Sequence, residues 1–322
     1  MANDGRVRCR SGQRGRTMTS NVHDAWTTFW ERDALHRKSG RRRDPEGWKG
    51  IGAVQTGVWQ TFARRLDKGV RVLDIATGDG RVLGDIQSAR RDLKLVGTDR
   101  AAALPEGPRG VRLRGGVRME KLPFPDTRFA AVTSQFGFEY GDMPVIAKEI
   151  ARVLRPGGTV AIMSHRLDGP IVAHNRARLA QIAWAIEEQD LPEIARRNQR
   201  LREMGVAALP PEIASAPERG AQAFGPQSAA WEIAEAIRQS IVMGRQDAPQ
   251  NVIALIDDIV AQAMNERGRI ASLEIAARAA DNGEGVVRAL MQAGLTIGQR
   301  EQLRDPHSGQ FFADFIKATL PK

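Results

Sequence analysis

Two glycines and two acidic residues mark the part of the chain where we expect chemistry. Asp74 lies in the apolar run 72–76, and Gly78 and Gly80 follow it, before a stretch that can form a helix. A strand, a glycine-rich turn and a helix form a corner typical of nucleotide binding, because a residue without a Cβ lets backbone approach a ligand closely. Asp99 ends a second apolar run about 20 residues later, a position suited to accepting hydrogen bonds from a ribose diol.

The glycine spacing argues against a dinucleotide cofactor. The corner reads Gly78-x-Gly80-x-x-x-Gly84, and Leu83 stands where a dinucleotide fingerprint has its third glycine. An NAD-dependent dehydrogenase is therefore a weaker hypothesis, although the acid at the end of the second strand does not by itself separate NAD from other adenosine cofactors.

Four titratable residues are candidates for moving a proton. Glu139 and Tyr140, the only tyrosine, follow the predicted fourth strand, and His165 ends the predicted fifth strand. Ligands of parallel sheets bind at the carboxyl ends of the strands, which places these three residues near the ligand. His174 follows later, in a predicted helix. For each histidine, a loop or structural role is the alternative.

The elements around these residues predict an α/β fold. Strands are predicted at 72–76, 93–99, 111–115, 129–136 and 159–165, with a helix at 143–154, and this alternation favours a parallel sheet. Helical periodicity then follows at 171–189, 191–204, 228–243, 249–266, 268–281 and 284–293, with loops at 207–211 and 214–227. Residues 294–320 read as a β-hairpin that returns to the sheet.

Four segments, in order, resemble a known family. They are Asp74-Ile75-Ala76-Thr77-Gly78-Asp79-Gly80, Asp99, Glu120-Lys121-Leu122-Pro123-Phe124-Pro125-Asp126 and Leu154-Arg155-Pro156-Gly157-Gly158. Together they resemble the class I S-adenosylmethionine-dependent methyltransferases. The similarity is closest to the type 11 small-molecule branch that includes the ubiquinone and menaquinone C-methyltransferases. It covers about residues 55–166 and the final hairpin, and it implies a Rossmann-like seven-stranded sheet with an antiparallel last strand and a helical insertion before the final hairpin.

The resemblance implies a binding role for eleven residues. Asp74 would hold the methionine ammonium, the backbone of the corner would lie beside the methionine and ribose, and Asp99 would bind the ribose hydroxyls. The remaining positions would flank the adenine or line the junction of cofactor and acceptor. The implied set is Asp74, Ala76, Thr77, Gly78, Gly80, Asp99, Arg100, Met119, Glu120, Gln135 and Phe136.

The sequence departs from the family pattern at three positions. Ala76 replaces the usual first glycine, Arg118 stands where many members have an acid that bonds the adenine amine, and Ala130 replaces an aspartate common after the phenylalanine of the fourth strand. The Arg118 departure weakens the implied adenine contacts most.

Five segments are expected along the chain. Residues 1–20 form a disordered basic tail, and 21–50 form a helical cap whose aromatic face, with Trp26 and Phe29, either packs on the core or covers a pocket. Residues 51–167 form the cofactor-binding core. A helical insertion at 168–293 encloses the acceptor or, alternatively, serves oligomerisation or a purely structural role. The terminal hairpin, 294–322, completes the sheet.

Composition narrows the class of protein. The formal net charge of +10 permits an anionic partner, but no nucleic-acid-binding motif accompanies it. Cys9 is the only cysteine, so neither a disulfide within the chain nor a cysteine-based metal site is predicted. No apolar run is long enough for a membrane span. We expect a cytoplasmic protein.

The predicted activity is methyl transfer from S-adenosylmethionine to a small organic acceptor, with O-, N- or C-transfer left open. The alternatives are an RNA or protein methyltransferase and a non-catalytic protein that keeps the fold. The oligomeric state is not predicted.

Overall fold

A computed structural model describes Trp26, Phe29, residues 49–205 and residues 208–322. The predictions for the basic tail at 1–20, and for most of the helical cap at 21–50, lie outside these residues. Within them, β1 is Arg71–Ile75, β2 is Lys94–Thr98, β3 is Arg112–Arg114, β4 is Phe129–Gln135, β5 is Leu154–His165, β6 is Thr296–Arg304 and β7 is Phe311–Thr319.

The described strands form one seven-stranded sheet in the order β3-β2-β1-β4-β5-β7-β6. Strands β1 to β5 pair in parallel, with Asp74 of β1 opposite Gly97 of β2 and Thr133 of β4. Strand β7 is antiparallel to both of its neighbours, β5 and β6. This topology confirms the predicted fold class, including the final hairpin and its antiparallel last strand.

The helices are α1 (Lys49–Arg64), α2 (Arg81–Ala89), α3 (Met143–Val153), α4 (Pro170–Ala183), α5 (Leu191–Arg202), α6 (Pro211–Phe224), α7 (Ala229–Met243), α8 (Pro249–Ala280) and α9 (Glu284–Gln292). Short helical turns cover Phe138–Tyr140, Trp184–Glu188, Gly244–Gln246 and Asp281–Gly283. None of these helices is long and apolar enough to cross a membrane, a finding limited to the residues that the structure describes.

Helices cover both faces of the sheet, which explains why its central strands are apolar on both sides. On one face, Trp59 and Phe62 of α1 pack in a cluster with Leu83 and Ile86 of α2. On the other face, α3 and α9 pack against alternate residues of the same strands, including Leu73 of β1. The sheet is thereby sandwiched, and only its edges remain to form a site.

Helices α4 to α9 lie between β5 and β6 in the chain, and α4 to α8 build cores of their own. One cluster joins α5, α6, α7 and the start of α8, and a smaller one joins α4, α7 and the middle of α8. Helix α8 contributes to all four clusters: Val252 and Ile256 pack in the first helical core, Ile270 in the second, and Leu273 and the residues after it against the sheet. It therefore connects the helical block to the sheet.

Two secondary-structure predictions are wrong. Residues 249–266 and 268–281 are not two helices but the continuous α8. Gly268 stays helical because residues on both sides of it are anchored in buried clusters. Residues 214–227, predicted as a loop, lie mostly in α6 despite Pro217. Gly220 allows this helix to lie close to the backbone of Ala230 on α7, so packing outweighs the local cost of the proline.

Candidate active site

Asp74 is buried near the carboxyl end of β1 with one oxygen satisfied. The hydroxyl of Thr133 donates a 2.7 Å hydrogen bond to Oδ1, whereas Oδ2 has no hydrogen-bond partner among the described residues. Desolvation raises the pKa of Asp74 to about 7, and the hydroxyls of Thr77 and Thr133 oppose that shift. The Thr77 hydroxyl lowers the pKa of Asp74, although it forms no hydrogen bond with Oδ2. A buried acid of this kind is suited to pairing with a cation.

Asp99 ties the glycine-rich corner to the end of β2. Its Oδ2 accepts a hydrogen bond from the Gly78 backbone N–H at 2.9 Å, and its Oδ1 accepts one from Ala101 at 2.9 Å. Gly78 and Gly80 both have positive φ angles, 53° and 75°, a backbone region that favours glycine. Asp99 thus helps to fix the loop that it borders.

Ala76, the first departure from the family pattern, also has a positive φ, of 53°. Its methyl group faces Gly137, where an added Cβ would overlap it. Gly137 itself has a φ of −138°, so its lack of a side chain serves close approach and not an unusual backbone conformation. The absence of a side chain at Gly137 therefore makes room for the methyl at Ala76.

The residues implied to border adenine lie after β2 and β3. Arg100 is exposed, Met119 and Glu120 are half-buried, and the Val117 N–H donates a 2.8 Å hydrogen bond to the Asp99 carbonyl, which holds this segment beside the corner. Arg118 is largely exposed, and its Nε lies 3.5 Å from Glu120. Because arginine is a base, Arg118 cannot replace the acid that many family members have here. Glu120 is the nearby acidic side chain.

Gln135 is the last residue of β4, and Phe136 follows it. Trp59 Nε1 donates a 2.6 Å hydrogen bond to Gln135 Oε1, which ties α1 to the carboxyl edge of the sheet. Phe136 has a positive φ of 55° and its ring stacks on His165, with centroids 4.2 Å apart. The structure therefore brings the junction residues of β4 together with the predicted base at the end of β5.

Glu139 and His165 form a buried dyad. Glu139 Oε1 accepts a 3.0 Å hydrogen bond from the His165 backbone N–H and lies 2.8 Å from the His165 ring atom Nδ1. Both side chains are less than 10% exposed, and Glu139 Oε2 has no partner among the described residues. Glu139 lies in the helical turn after β4 and His165 ends β5, and the structure joins them because β4 and β5 are neighbours in the sheet.

Tyr140 and His174 differ from this dyad. The Tyr140 ring lies 6.1 Å from that of His165, and desolvation together with the charge of Glu139 raises the pKa of Tyr140. Tyr140 therefore stays a phenol at neutral pH and is not suited to accept a proton. His174 lies exposed on α4, and desolvation and the charge of Arg178 lower its pKa.

Four residues that sequence reasoning missed help to shape this edge. Trp59 and Thr133 carry no local signal for this role, since their hydrogen bonds to Gln135 and Asp74 join distant parts of the chain. Gly137 lies between two phenylalanines, and a glycine at such a position can indicate close packing. Arg269 lies on α8, far along the chain, and its guanidinium carbon lies 5.6 Å from the centre of the Trp26 ring, which itself contacts Tyr140. Only the fold brings it near.

Comparison with known proteins adds an independent observation. Residues 73–162, the span from β1 to β5, match a family described as "Methyltransferase domain". We call this segment, which is similar to that family, the methyltransferase-type domain. The match confirms the family resemblance predicted from the four sequence segments.

Among the described residues, no group of histidine, cysteine and acidic side chains is arranged to hold a metal ion.

The relatives of this domain are moderately similar and cover part of the chain. An uncharacterised protein of Mycobacterium tuberculosis is 30% identical over 33% of this chain and 41% of its own length. The demethylmenaquinone methyltransferase of Deinococcus radiodurans is 32% identical over 29% and 42%. The ubiquinone/menaquinone biosynthesis C-methyltransferase of Neisseria meningitidis is 33% identical over 33% and 48%. The chain thus spans less than half the length of these relatives.

Solved structures show weaker similarity. An S-adenosylmethionine-dependent methyltransferase from Mesorhizobium loti aligns with 84% of this chain and 99% of its own, at 12% identity and a TM-score of 0.40. The fold assignment of the methyltransferase-type domain therefore rests on its own strand order.

Proposed function

We propose that this protein transfers a methyl group from S-adenosylmethionine to a small organic acceptor. The observation that supports this most strongly is Asp74, a buried carboxylate with one unpaired oxygen at the ligand edge of a methyltransferase-type domain. An ammonium group at that oxygen would satisfy it and would stabilise the ionised acid. The residues present therefore fit the amino-acid end of this cofactor.

The remaining roles follow the geometry of the edge. Asp99 offers ribose hydroxyls an acceptor while it holds Gly78, and the backbone from Ala76 to Gly80, including Thr77, lies beside it. We assign Arg100, Met119 and Glu120 to the adenine side. Gln135 and Phe136 are assigned to the junction with the acceptor, since Phe136 stacks on His165.

The cofactor supplies an electrophilic methyl group whose transfer releases a neutral thioether. The chain's own residues have to orient the acceptor and exclude water, and to remove a proton only if the acceptor is protonated. We assign that last task to His165. Because an ionised Glu139 carboxylate can only accept a hydrogen bond, it favours the tautomer with the proton on Nδ1, which leaves the Nε2 lone pair to act as a base. Glu139 is then a positioning residue.

We further propose that residues 168–293 enclose the acceptor and that the protein works in the cytoplasm. The quinone-related names of two relatives favour a small-molecule acceptor. An RNA or protein methyltransferase is the alternative that the net charge of +10 favours. Binding of RNA that survives physiological salt would support that alternative, since purely electrostatic contacts weaken steeply with salt. The non-catalytic alternative predicts cofactor binding without turnover.

Calorimetry with S-adenosylmethionine and S-adenosylhomocysteine tests the proposal. We expect both to bind at micromolar concentrations, and Asp99→Ala to weaken binding at least tenfold, or about 1.4 kcal/mol. Asp92→Ala is a matched control, because Asp92 also accepts a hydrogen bond from a glycine backbone, that of Gly69 at 2.8 Å, but lies at the opposite end of β2. The cofactor affinity of Asp92→Ala should match that of the wild type. If neither compound binds to the wild type, the proposed function is wrong. If Asp99→Ala binds the cofactor as tightly as Asp92→Ala and the wild type do, the ribose assignment is wrong.

A further inference from the structure

A cavity lies in the helical block, and no residue of the corner between β1 and α2 lines it. It has a volume of about 320 Å³ and lies between α4, α7 and α8, with Phe29 on one wall. Ile233 of α7 and Ile259 of α8 give it apolar walls, and Arg178 and Arg269 are its cationic residues. Its volume is at the lower end for pockets that enclose small organic molecules.

The two arginines of this cavity differ in the groups that compensate their positive charge. Arg178 Nε donates a 2.7 Å hydrogen bond to Glu266, and a terminal nitrogen donates one to Glu232 at 3.1 Å. The carboxylates that line the cavity are thus already engaged by Arg178. The two arginines and the two glutamates of the cavity have a total charge of zero. Both glutamates, however, form hydrogen bonds with Arg178 and none with Arg269.

Arg269 is held by aromatic rings. Its guanidinium carbon lies 4.3 Å from the centre of the Phe29 ring and 5.6 Å from that of Trp26. Within 49–205, 208–322 and the two described aromatic residues, no acceptor hydrogen-bonds this guanidinium and no carboxylate forms an ion pair with it. Ring faces attract the positive charge, but they are no conventional acceptor for five N–H donors. Desolvation lowers the pKa of Arg269, and Glu266 opposes this from beyond ion-pair distance.

We infer that this cavity binds a small organic anion, with a carboxylate or similarly charged head on Arg269 and an apolar body between α7 and α8. An arginine edge is well matched to a carboxylate, which can accept two parallel hydrogen bonds. The walls suit an aromatic or aliphatic body, because Phe29, Ile233 and Ile259 present apolar surface around the charged group. A neutral ligand of the same shape would leave the N–H donors of Arg269 unmet.

A series of ring contacts connects this cavity with His165, the candidate base. Trp26, under Arg269, lies 5.7 Å from the Tyr140 ring, which lies 6.1 Å from that of His165. The identification of the anion with the methyl acceptor rests on the proposed function. The anion site itself does not.

Matched acids and amides test the inference, since they differ in charge but hardly in shape. We would titrate the full chain with benzoate and benzamide, 2-naphthoate and 2-naphthamide, and decanoate and decanamide, by calorimetry or by ligand-observed NMR. At least one acid should bind at least tenfold more tightly than its amide, a difference typical of one charge-assisted contact. Binding of no acid at millimolar concentration, or equal binding of every acid and its amide, would overturn the inference.

Variants locate the effect. Arg269→Met should reduce the preference for the acid to less than about threefold, as expected when a charged hydrogen bond is lost. Arg269→Lys should keep part of it. Arg278→Met is the matched control on the same helix, because Arg278 is exposed and pairs with Glu274 outside the cavity. A preference that survives in Arg269→Met, or that disappears equally in Arg278→Met, would contradict the site.

S-adenosylhomocysteine affinity, measured on the same proteins, separates this inference from the proposed function. Retained cofactor affinity with no preference for acids rejects the cavity alone. A preference for acids without cofactor binding rejects the proposed function alone.

Discussion

At the scale of single residues, Asp74 connects burial with ligand binding. Its carboxylate has one hydroxyl donor and one unpaired oxygen, and desolvation raises its pKa to about 7. An acid that is half-protonated near neutrality has to lose its proton before it can pair with an ammonium group. The affinity for the cofactor should therefore depend on pH through this one side chain.

We predict that S-adenosylhomocysteine binds more tightly as the pH rises from 5.5 to 7, by up to tenfold per pH unit, and that the dependence levels off above about pH 7. Calorimetry at pH 6 in two buffers of different ionisation enthalpy should detect the release of nearly one proton. Asp74→Asn should bind more weakly and lose this dependence. A wild-type affinity that is flat across this range would contradict the assignment of the ammonium to Asp74.

The same pKa shift has a consequence for the free protein. Because the folded pKa of Asp74 lies above its ordinary value of 3.8, the folded state holds the proton more tightly than the unfolded state. This contribution to stability is complete below pH 3.8 and is lost as the pH rises through about 7. Asp74 is thus costly to folding under the conditions in which it is most useful for binding, which is typical of functional acids.

The close contact between Ala76 and Gly137 shows how a departure from a family pattern is accommodated. The added methyl at the first corner position needs space from a residue about sixty positions later, and that residue has no side chain. The two positions have to be considered together in any substitution, since residues in contact show non-additive effects.

At the scale of elements, α8 is the helix whose local sequence and packing disagree. Gly268 interrupts the helical pattern, yet it lies inside a helix of 32 residues. A glycine in a helix interior costs about 0.5–1 kcal/mol relative to alanine. Nothing lies within 4 Å of the position that a Cβ would occupy there, so an alanine would fit.

Gly268→Ala should therefore raise the free energy of unfolding by about 0.5–1 kcal/mol, measured by denaturant titration. Gly283→Ala is the matched control after the same helix, because Gly283 has a φ of 88° and a Cβ there would lie 3.2 Å from Asp314. That variant should be less stable than the wild type. A loss of stability in Gly268→Ala would show that the helix is strained at this point.

Another element-scale feature is the edge of β5 and β7, where burial affects a charged pair. Arg166 donates two 3.1 Å hydrogen bonds to Asp314, and both side chains are buried beside the end of β5. Desolvation raises the pKa of Asp314 to about 6, and Arg166 opposes this shift. The hairpin is thereby tied to the residue that follows His165, which helps to fix the position of the candidate base.

At the scale of the whole molecule, the sheet and the helical block share one helix. Residues of α8 enter both helical cores and both faces of the sheet. Two bodies joined by a continuous, well-anchored helix are expected to unfold together. The wild type should show one calorimetric transition, with the calorimetric and van't Hoff enthalpies in agreement.

Met264→Pro is designed to break this connection. Met264 is 47% exposed and lies in α8 between the residues anchored in the first helical core and those anchored on the sheet. A proline in a helix interior costs about 3 kcal/mol or more, so we predict a separate, earlier transition for the helical block in scanning calorimetry. Met264→Ala should keep the single transition. One sharp transition in Met264→Pro would show that other contacts couple the two parts.

Much of the fold was predictable from local patterns. The apolar runs at 72–76 and 129–136 predicted buried strands, and the order of the four motifs predicted the seven-stranded sheet with its final hairpin. Glu139 and His165 were predicted as separate candidates, because Glu139 follows a predicted strand and His165 ends one. That they form a dyad was not predictable, since the contact depends on the register of β4 with β5.

The sequence alone determined the strand pattern, the glycine-rich corner, its two acids and hence the family resemblance, because these depend on residue type and short-range spacing. Tertiary structure decided which groups are unpaired: the free oxygen of Asp74 and the ring-held Arg269 are products of burial and of contacts between distant segments. It also decided that α8 continues through Gly268 and that α6 forms around Pro217, because packing energy summed over a helix exceeds the local cost of one residue.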